Sequence, residues 1–425
     1  MVPLKTIVLT KVHSHPLCLF QKSWLLFICV AVLYFHAMIY EFLTPIERDT
    51  ILEGAELHPG QIGNYIFTYG GVEVDLNDFN IALIGVNEDR ASKGNTGSAK
   101  APDQLRRELY KLFMPPITRE FRFIDLGNII QGETPRDTYF ALSSVMLELL
   151  THKVIPIIVG GSHDLTFGQY LGYKSLHALI NVVLLDERID MLDNPAKVID
   201  SSSFLMNILT HTPNYLFNYS HIGYQTYLND AKAIEILEGL NFDCHRLGLI
   251  RANLEQTEPI LRDADMLSID VSCIRQADAP AHAQASPNGF SGEELCQITR
   301  YAGLSDKLTS LGIYEINPGY DNNHQTTQLA AQMIWYFIEG YYNRVGDYPL
   351  TLDDHLKFTV HLDETDHELI FWKSKKTERW WMELPFGDKE KYGRHQLVPC
   401  SFDDYERACE QELPDRWMKA YTKLV

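Results

Sequence analysis

The 425-residue sequence carries no block of basic residues and no stretch in which aromatic and basic side chains interleave. Its 37 Lys+Arg stand against 56 Asp+Glu, a net charge of −19 spread along the chain, so nucleic acid is not expected as a partner. Cysteine is sparse. The seven, at 18, 29, 244, 273, 296, 400 and 409, are odd in number and form no CxxC pair, so they read as mostly reduced, buried thiols rather than a disulfide framework. Also missing are G-x-x-x-x-G-K-[ST], G-x-G-x-x-G and H-E-x-x-H, which leaves nucleotide-binding and zinc-protease readings without a basis. "GGSHD" (160–164) misses the G-x-S-x-G nucleophile elbow because Asp164 stands where the second glycine belongs. There is no internal repeat and no low-complexity segment.

What the chain does have is apolar sequence: 45% hydrophobic residues, enough at this length for one large α/β domain with an appendage. One long apolar run, "WLLFICVAVLYFHAMIY" (24–40), is broken only by His36 and preceded by Lys5, Lys11 and Lys22. That is the layout of a signal anchor, at the lower length limit for spanning a bilayer and without a small-x-small cleavage site. Two readings stand. Either the segment anchors the protein in a membrane, or translation starts at Met38 and the protein is cytoplasmic. Residues 1–45 are accordingly set apart as an N-terminal leader with an apolar segment, either an anchor or a misplaced start.

From about residue 80, β-rich apolar runs alternate with helical patterns. The runs are "IALIGV" (81–86), "VIPIIVGG" (154–161), "NVVLLD" (181–186), "MLSIDV" (266–271) and "LTSLGIYEI" (308–316). Between them lie amphipathic segments such as "APDQLRRELYKLF" (101–113) and "DTYFALSSVMLELL" (137–150). Continuous rather than alternating hydrophobicity implies strands buried on both faces, hence a mostly parallel sheet with helices on either side. Ser291 and Glu294 form a capping-box pattern that predicts a helix start. Another helix is predicted over 326–342 from the stripe Leu329, Met333, Ile334, Phe337, Ile338 and Tyr341, which reads as core. After about residue 345 the character changes: "LKFTVHL", "ELIFWKS" and "RWWMEL" read as three strands, the first two joined by the turn "DETDH" (363–367). The chain therefore divides into a 46–345 α/β domain and a β-rich 346–425 extension, whose Trp380–Trp381 pair serves either packing or a partner.

Four apolar strands end in residues of the metal-ligand or acid type: His163, Asp186 with Asp190, Asp270, and Glu315. Ligands of open parallel sheets bind at the carboxyl ends of the strands, so residues far apart in sequence can converge there. One histidine among carboxylates suits a hard or borderline divalent ion such as Mn2+. The ordered series "GGSHD" (160–164), "DERID" (186–190), "SIDVS" (268–272) and "EINP" (315–318) resembles the ureohydrolase family (arginase, agmatinase, formimidoylglutamase), whose motifs read G-G-D-H-S, D-A-H-x-D, S-x-D-x-D and E-x-N-P. The likeness spans roughly residues 50 to 345 and includes "NTGSAKAPDQLRREL" (95–109), similar to the family's glycine-rich loop and following helix. The resemblance implies a three-layer α/β/α fold and, in active members, two Mn2+ ions sharing a hydroxide that attacks a guanidinium or formimidoyl carbon. It implies an amidine or guanidine small molecule as ligand, Glu315 as its cation contact, and self-association into a homo-oligomer.

The departures from the family pattern bear on activity. One metal position keeps His163, Asp186, Asp190 and Asp270, whereas the other shares Asp186 and Asp270 but has Arg188 for a histidine and Ser272 for an aspartate. A guanidinium offers no lone pair, so one ion rather than two is expected, or none. Three carboxylates, one divalent ion and one guanidinium sum to zero, as four carboxylates and two ions do. Arg188 is accordingly expected to act as a surrogate cation, donating hydrogen bonds to the aspartates; the competing expectation turns it to solvent. Where the family has an Asp-Pro soon after the second acid, Asp278 comes later here, in "CIRQADAP" (273–280), and Arg275, Asp278 and His282 become candidates for new contacts. The sequence thus supports two readings: a formimidoylglutamase- or agmatinase-like hydrolase with weakened or altered chemistry, or a pseudoenzyme with a structural or ligand-sensing site and a partner-binding extension.

Overall fold

The computed structural model describes residues 39–176, 178–192, 198–349, 353–362, 368–385 and 393–424. The chain divides into residues 1–41 and Phe42–Val425, and the second unit takes in both the expected α/β domain and the extension. Most of the apolar run at 24–40, and the turn expected at 363–367, lie outside the described residues. Among those described, no helix is long and apolar enough to cross a membrane.

Ten strands among the described residues build the central sheet: β1 (Leu43–Thr44), β2 (Phe67–Thr68), β3 (Ile81–Val86), β4 (Phe123–Ile129), β5 (Ile155–Val159), β6 (Ile180–Leu185), β7 (Leu216–Tyr224), β8 (Asp243–Arg246), β9 (Met266–Asp270) and β10 (Ser310–Tyr314). Their order is β1-β4-β3-β5-β10-β9-β6-β7-β8, with β2 also on β4, and every pairing except the antiparallel edge strand β1 is parallel. The five apolar runs become β3, β5, β6, β9 and β10, each buried along its length, as continuous hydrophobicity requires. Strands β4, β7 and β8 escaped the sequence reading because polar residues interrupt them. Inside the fold those residues are paired: Asp125 takes hydrogen bonds from Arg106 Nε (2.8 Å) and Tyr110 Oη (2.7 Å), and His221 sits between Tyr219 Oη (2.8 Å) and the Asp186 carbonyl (3.1 Å).

Helices Ala101–Tyr110, Gly292–Leu304 and Gln325–Tyr342 share one core with Leu83, Ile157, Ile269 and Leu311. Helix Leu165–Leu171 packs on the other face, where Gln169 donates to the Leu267 carbonyl (3.2 Å) and Ser310 Oγ (2.8 Å), and helix Pro135–Thr151 lies against it. This is the three-layer α/β/α arrangement, with the capping box at Ser291 and Glu294 formed as expected.

Asp265 fixes the register of the strands that matter most. Its carboxylate accepts from the Asn181 N–H at the start of β6 (2.8 Å), its carbonyl accepts from the Thr309 N–H just before β10 (2.8 Å), and it stands immediately before β9. With the entry points tied, Leu185 pairs with Ile269 and Tyr314 with Asp270 at the exits. A one-residue slip would send each functional side chain to the opposite face.

The extension contains more than strands. β11 (His355–His361), β12 (Glu368–Ser374), β13 (Trp380–Glu383) and β14 (Leu397–Cys400) form an antiparallel sheet, followed by helices Phe402–Cys409 and Asp415–Thr422. The fourth strand and both helices were missed; each is so short that its periodicity covers at most about two turns. Trp380 stacks on Tyr405 with ring centroids 4.8 Å apart, and Trp381 is fully buried under the Arg262 guanidinium, 4.4 Å from its ring. Arg262, from helix Thr257–Asp263, also donates to the Trp380 carbonyl (3.0 Å) and the Cys400 carbonyl (3.1 Å) and pairs with Glu258 (3.1 Å). The tryptophan pair is thus engaged in packing the extension on the main sheet unit. Replacing Arg262 by Ala should lower unfolding free energy by about 3 kcal/mol, since it strands two buried carbonyls and uncovers Trp381, while Glu258 keeps Arg379 as a partner (3.1 Å); urea unfolding followed by tryptophan fluorescence is the measurement, and an unchanged midpoint would contradict the assignment.

Candidate metal centre

Neighbouring strands β5, β10, β9 and β6 deliver their C-terminal residues to one cleft of about 380 Å³. Asp270 ends β9, Asp186 follows β6 directly, Asp190 comes four residues further on, and His163 follows the "GGS" turn after β5. Nδ1 of His163 lies 3.1 Å from Asp186 Oδ2, 3.1 Å from Asp190 Oδ2 and 3.4 Å from Asp270 Oδ2. All four side chains are buried. The other ring nitrogen, Nε2, meets Ser268 Oγ at 3.1 Å, and that hydroxyl meets Thr166 Oγ1 at 2.7 Å. The imidazole is therefore oriented from behind and presents Nδ1 to the acids, the arrangement in which an outer hydrogen bond sets the tautomer of a metal-binding histidine.

Close backbone approach makes this convergence possible. A Cβ on Gly161 would stand 1.9 Å from the Glu88 carbonyl oxygen, and one on Gly160 would stand 2.4 Å from the Tyr314 ring, so the paired glycines let the β5 exit nest between its neighbours. Glu315 adopts a left-handed backbone with φ of 67°, a conformation that costs a non-glycine residue about 1–2 kcal/mol. Its carboxylate is buried and lines the cleft. Oε1 accepts from the His163 N–H (2.8 Å) and Oε2 from Asn95 Nδ2 (2.7 Å). Asn95, in the glycine-rich loop, was not singled out in the sequence; neither was Ser268, although it opens the "SIDVS" motif.

The two departures from the family pattern occupy different places. Ser272 is at the centre: its N–H donates to Asp270 Oδ1 (2.7 Å) and its Oγ to Asp186 Oδ1 (3.3 Å). Arg188 reaches Asp186 through its main-chain N–H (2.8 Å), not its side chain. The guanidinium stands at the cleft mouth, 43% exposed, with Nε 3.5 Å from Glu187 Oε1. The sequence expectation that it would donate to the aspartates is therefore not what the geometry shows. The reason is electrostatic: the imidazole already stands among the acids, and a second cation there would have to give up its hydration. Of the loop candidates, Arg275 pairs with Asp278 (2.9 Å), whose carboxylate also caps the Gly292 N–H (2.8 Å), so both support the loop. His282 alone lines the cleft.

The charge distribution follows. Burial would push the His163 imidazole down, but hydrogen bonds to Asp186 and Asp190 and the charge of Asp270 outweigh it and hold the group well above its ordinary range. Burial and then Asp186 push Asp190 and Asp270 up, while the protonated His163 holds Asp186 below its usual value in spite of burial. Burial and the charge of Asp270 raise Glu315, and burial with Asp186 pushes Glu187 to about 8. The donor set suits one hard divalent ion, because the ligand atoms of His163, Asp186 and Asp270 all lie within 4.8 Å of one another. At the two departures, Arg188 has no lone pair to offer and Ser272 brings a neutral hydroxyl.

Loading Mn2+ must displace the proton from His163 Nδ1 and any held by Asp190 or Asp270, so calorimetry at pH 7 in buffers of different ionisation enthalpy should show at least about one proton released per ion, with affinity rising at least about tenfold per pH unit. Ser268→Ala should weaken the ion roughly 10- to 100-fold without unfolding the protein. Unchanged affinity in that variant would place the histidine's support elsewhere.

Comparison with known proteins agrees with this arrangement. The arginase family model matches residues 79–339. The formimidoylglutamase of Clostridium tetani is 26% identical over 266 residues, covering 59% of this chain and 78% of that protein. That of Staphylococcus haemolyticus is 26% identical over 271 residues, covering 61% and 85%. The crystal structure of a Trypanosoma cruzi formiminoglutamase with Mn2+ superposes with a TM-score of 0.60 at 18% identity, over 64% of this chain and 96% of that one. An agmatine ureohydrolase of Thermoplasma volcanium gives 0.55 at 20% identity, over 63% and 92%. The sheet order, the converging strand ends and the matched span lead to one conclusion: the chain belongs to the arginase family.

Proposed function

We propose that this protein is a formimidoylglutamase-like hydrolase of the C–N bond of a linear amidine, working with a single divalent ion, Mn2+ by analogy with the Trypanosoma relative. The observation that carries the proposal is the meeting of His163 Nδ1, Asp186, Asp190 and Asp270 in the cleft that Glu315 also lines. His163, Asp186, Asp190 and Asp270 hold the ion, which supplies Lewis acidity and makes water more acidic. Glu315 binds the amidinium. The His163 N–H and Asn95 Nδ2 fix both of its oxygens, so the carboxylate is presented without a rotamer search. An arriving cation also restores its negative charge, which burial and Asp270 oppose in the free protein. Ser272 holds Asp186 and Asp270 in place by two hydrogen bonds.

One specific observation favours a second reading, a pseudoenzyme that binds without turnover: Arg188 and Ser272 take the sequence positions of a histidine and an aspartate in the family pattern, and one ion would forfeit the two-ion clamp on the nucleophile. Elemental analysis of Mn2+-supplied protein separates the two when paired with ammonia, formamide and urea release from formimidoylglutamate, agmatine and arginine. About one ion per chain with turnover of one amidine is the expected result, and Arg188→His/Ser272→Asp should take up a second ion. Glu315→Gln should raise KM or abolish turnover while leaving the ion content unchanged. One ion without turnover of any of the three would favour the pseudoenzyme, and no ion in either protein would overturn the metal site.

A further inference from the structure

At the entry end of the sheet, away from the metal centre, a cavity of about 60 Å³ lies between strands β6, β7 and β8 and the C-terminal extension. Three buried polar atoms of its lining residues have no hydrogen-bond partner among the described residues: Asn181 Oδ1 at the start of β6, His245 Nε2 on β8 and His395 Nδ1 from the extension. Asn181 is 2% exposed and His395 3%. Two of the three atoms can only accept. Asn181 Nδ2 donates to the Asp263 carbonyl (2.9 Å), which commits the amide nitrogen and leaves the oxygen spare. His395 Nε2 lies 3.3 Å from the Leu179 carbonyl, so Nε2 holds the proton and Nδ1 keeps a lone pair. Burial, then the charges of Lys307 and Arg394, push this imidazole down to about 2, so it stays neutral, stacked on Phe217 with ring centroids 3.7 Å apart.

The same walls carry unbalanced charge. Asp243 pairs with Lys419 (2.7 Å) and Asp263 with Lys307 (2.7 Å), so each carboxylate already has an ammonium of its own. Lys423 has no such partner: among the described residues it pairs with no carboxylate, donates to Asn218 Oδ1 and lies over the Phe242 ring, 5.3 Å from its centroid. Burial pushes it down to about 8, as expected for a cation short of counter-charge. Arg416, 3.8 Å from Asp404, is a further cation on the lining. Water satisfies spare acceptors but leaves the ammonium uncompensated, whereas an anion without a proton answers the ammonium and faces two lone pairs. We propose that this cavity is a binding site for a small oxyanion that still carries a proton, of the hydrogenphosphate or bicarbonate kind, with its charge against Lys423 and its O–H on Asn181 or His395. The volume agrees, since about 10–15 Å³ for each water-sized group leaves room for roughly four to six. Bound there, the anion bridges β6 and β8 to the loop and final helix of the extension. His395, Arg416 and Lys423 lie beyond the residues 79–339 that match the arginase family model.

The test is thermal unfolding of full-length protein, Mn2+-loaded and freed of excess metal, at pH 7 and fixed ionic strength in chloride, sulfate, phosphate or bicarbonate, with calorimetry supplying Kd. Phosphate or bicarbonate should raise the melting temperature saturably over chloride, and a response to only one of them identifies the anion. Sulfate resembles phosphate in shape and carries no proton at this pH, so it should bind at least about tenfold more weakly than the responding anion, as expected for one lost hydrogen bond to a charged group. Lys423→Gln keeps a donor for Asn218 and removes the charge. It should weaken the responding anion at least about tenfold and leave the melting temperature in chloride close to that of the wild type. No shift with either anion in the wild type would overturn the proposal, and so would sulfate binding as tightly as the responding anion. An undiminished response in Lys423→Gln would place the anion elsewhere, the metal centre included, and would overturn it too. Should that variant fail to fold, the comparison of sulfate with the proton-bearing anions in the wild type still decides.

Discussion

Like charge held at short range is the constraint on which this molecule turns. Asp186, Asp190 and Asp270 each place an oxygen within 3.1–3.4 Å of one buried nitrogen, His163 Nδ1, so carboxylates that repel one another share a single counter-charge. Without an ion that counter-charge is the imidazolium itself, which is why the histidine is held above its ordinary range although burial works against it. A divalent ion would replace that proton and satisfy the same oxygens. The site is therefore compatible with the folded state both with and without metal, and the cost of clustering acids falls on strand register and packing rather than on an arginine at the centre.

Register is secured at the opposite end of the sheet. Asp265 binds the first N–H of the β6 run, its carbonyl takes the N–H preceding β10, and Arg394 Nη2 lies 2.5 Å from its other carboxylate oxygen. Because Arg394 belongs to the C-terminal extension, the extension neutralises the aspartate that aligns the strands bearing Asp186, Asp270 and Glu315. Arg262 joins the two regions again through Trp381 and two backbone carbonyls. The extension thus supports the part of the sheet that carries the candidate site, and Trp381 takes part in that support beneath Arg262.

The five central strands were legible because a strand covered on both faces needs unbroken apolar sequence, and "IALIGV" became β3 residue for residue. β8, "DCHR", was illegible by the same rule, since its polarity is answered only by distant partners such as Lys419, 2.7 Å from Asp243. At the site, His163, Asp186, Asp190, Asp270 and Glu315 could be picked out because each ends an apolar run. Asn95, Ser268 and Thr166 could not, since their value lies in contacts across more than a hundred residues of sequence. Arg188 shows a further limit: sequence gives its charge but not its side-chain direction, and charge balance alone favoured the centre.

Why the guanidinium stays at the mouth follows from comparing the two cations available. Imidazole is small, partly apolar and able to give up its proton, so it can occupy the enclosed space beside Phe204, with ring centroids 4.7 Å apart, and still yield to a metal. A guanidinium cannot be deprotonated and has five donors to satisfy, which the two main-chain-bonded oxygens, Asp186 Oδ1 and Asp270 Oδ1, leave little room to meet. With Ser272 already bonded to Asp186, the energetically cheaper place for the arginine is the hydrated edge. Arg188 therefore places its positive charge at the entrance, a side chain's length from the acids, and the cleft is acidic within and basic at its mouth.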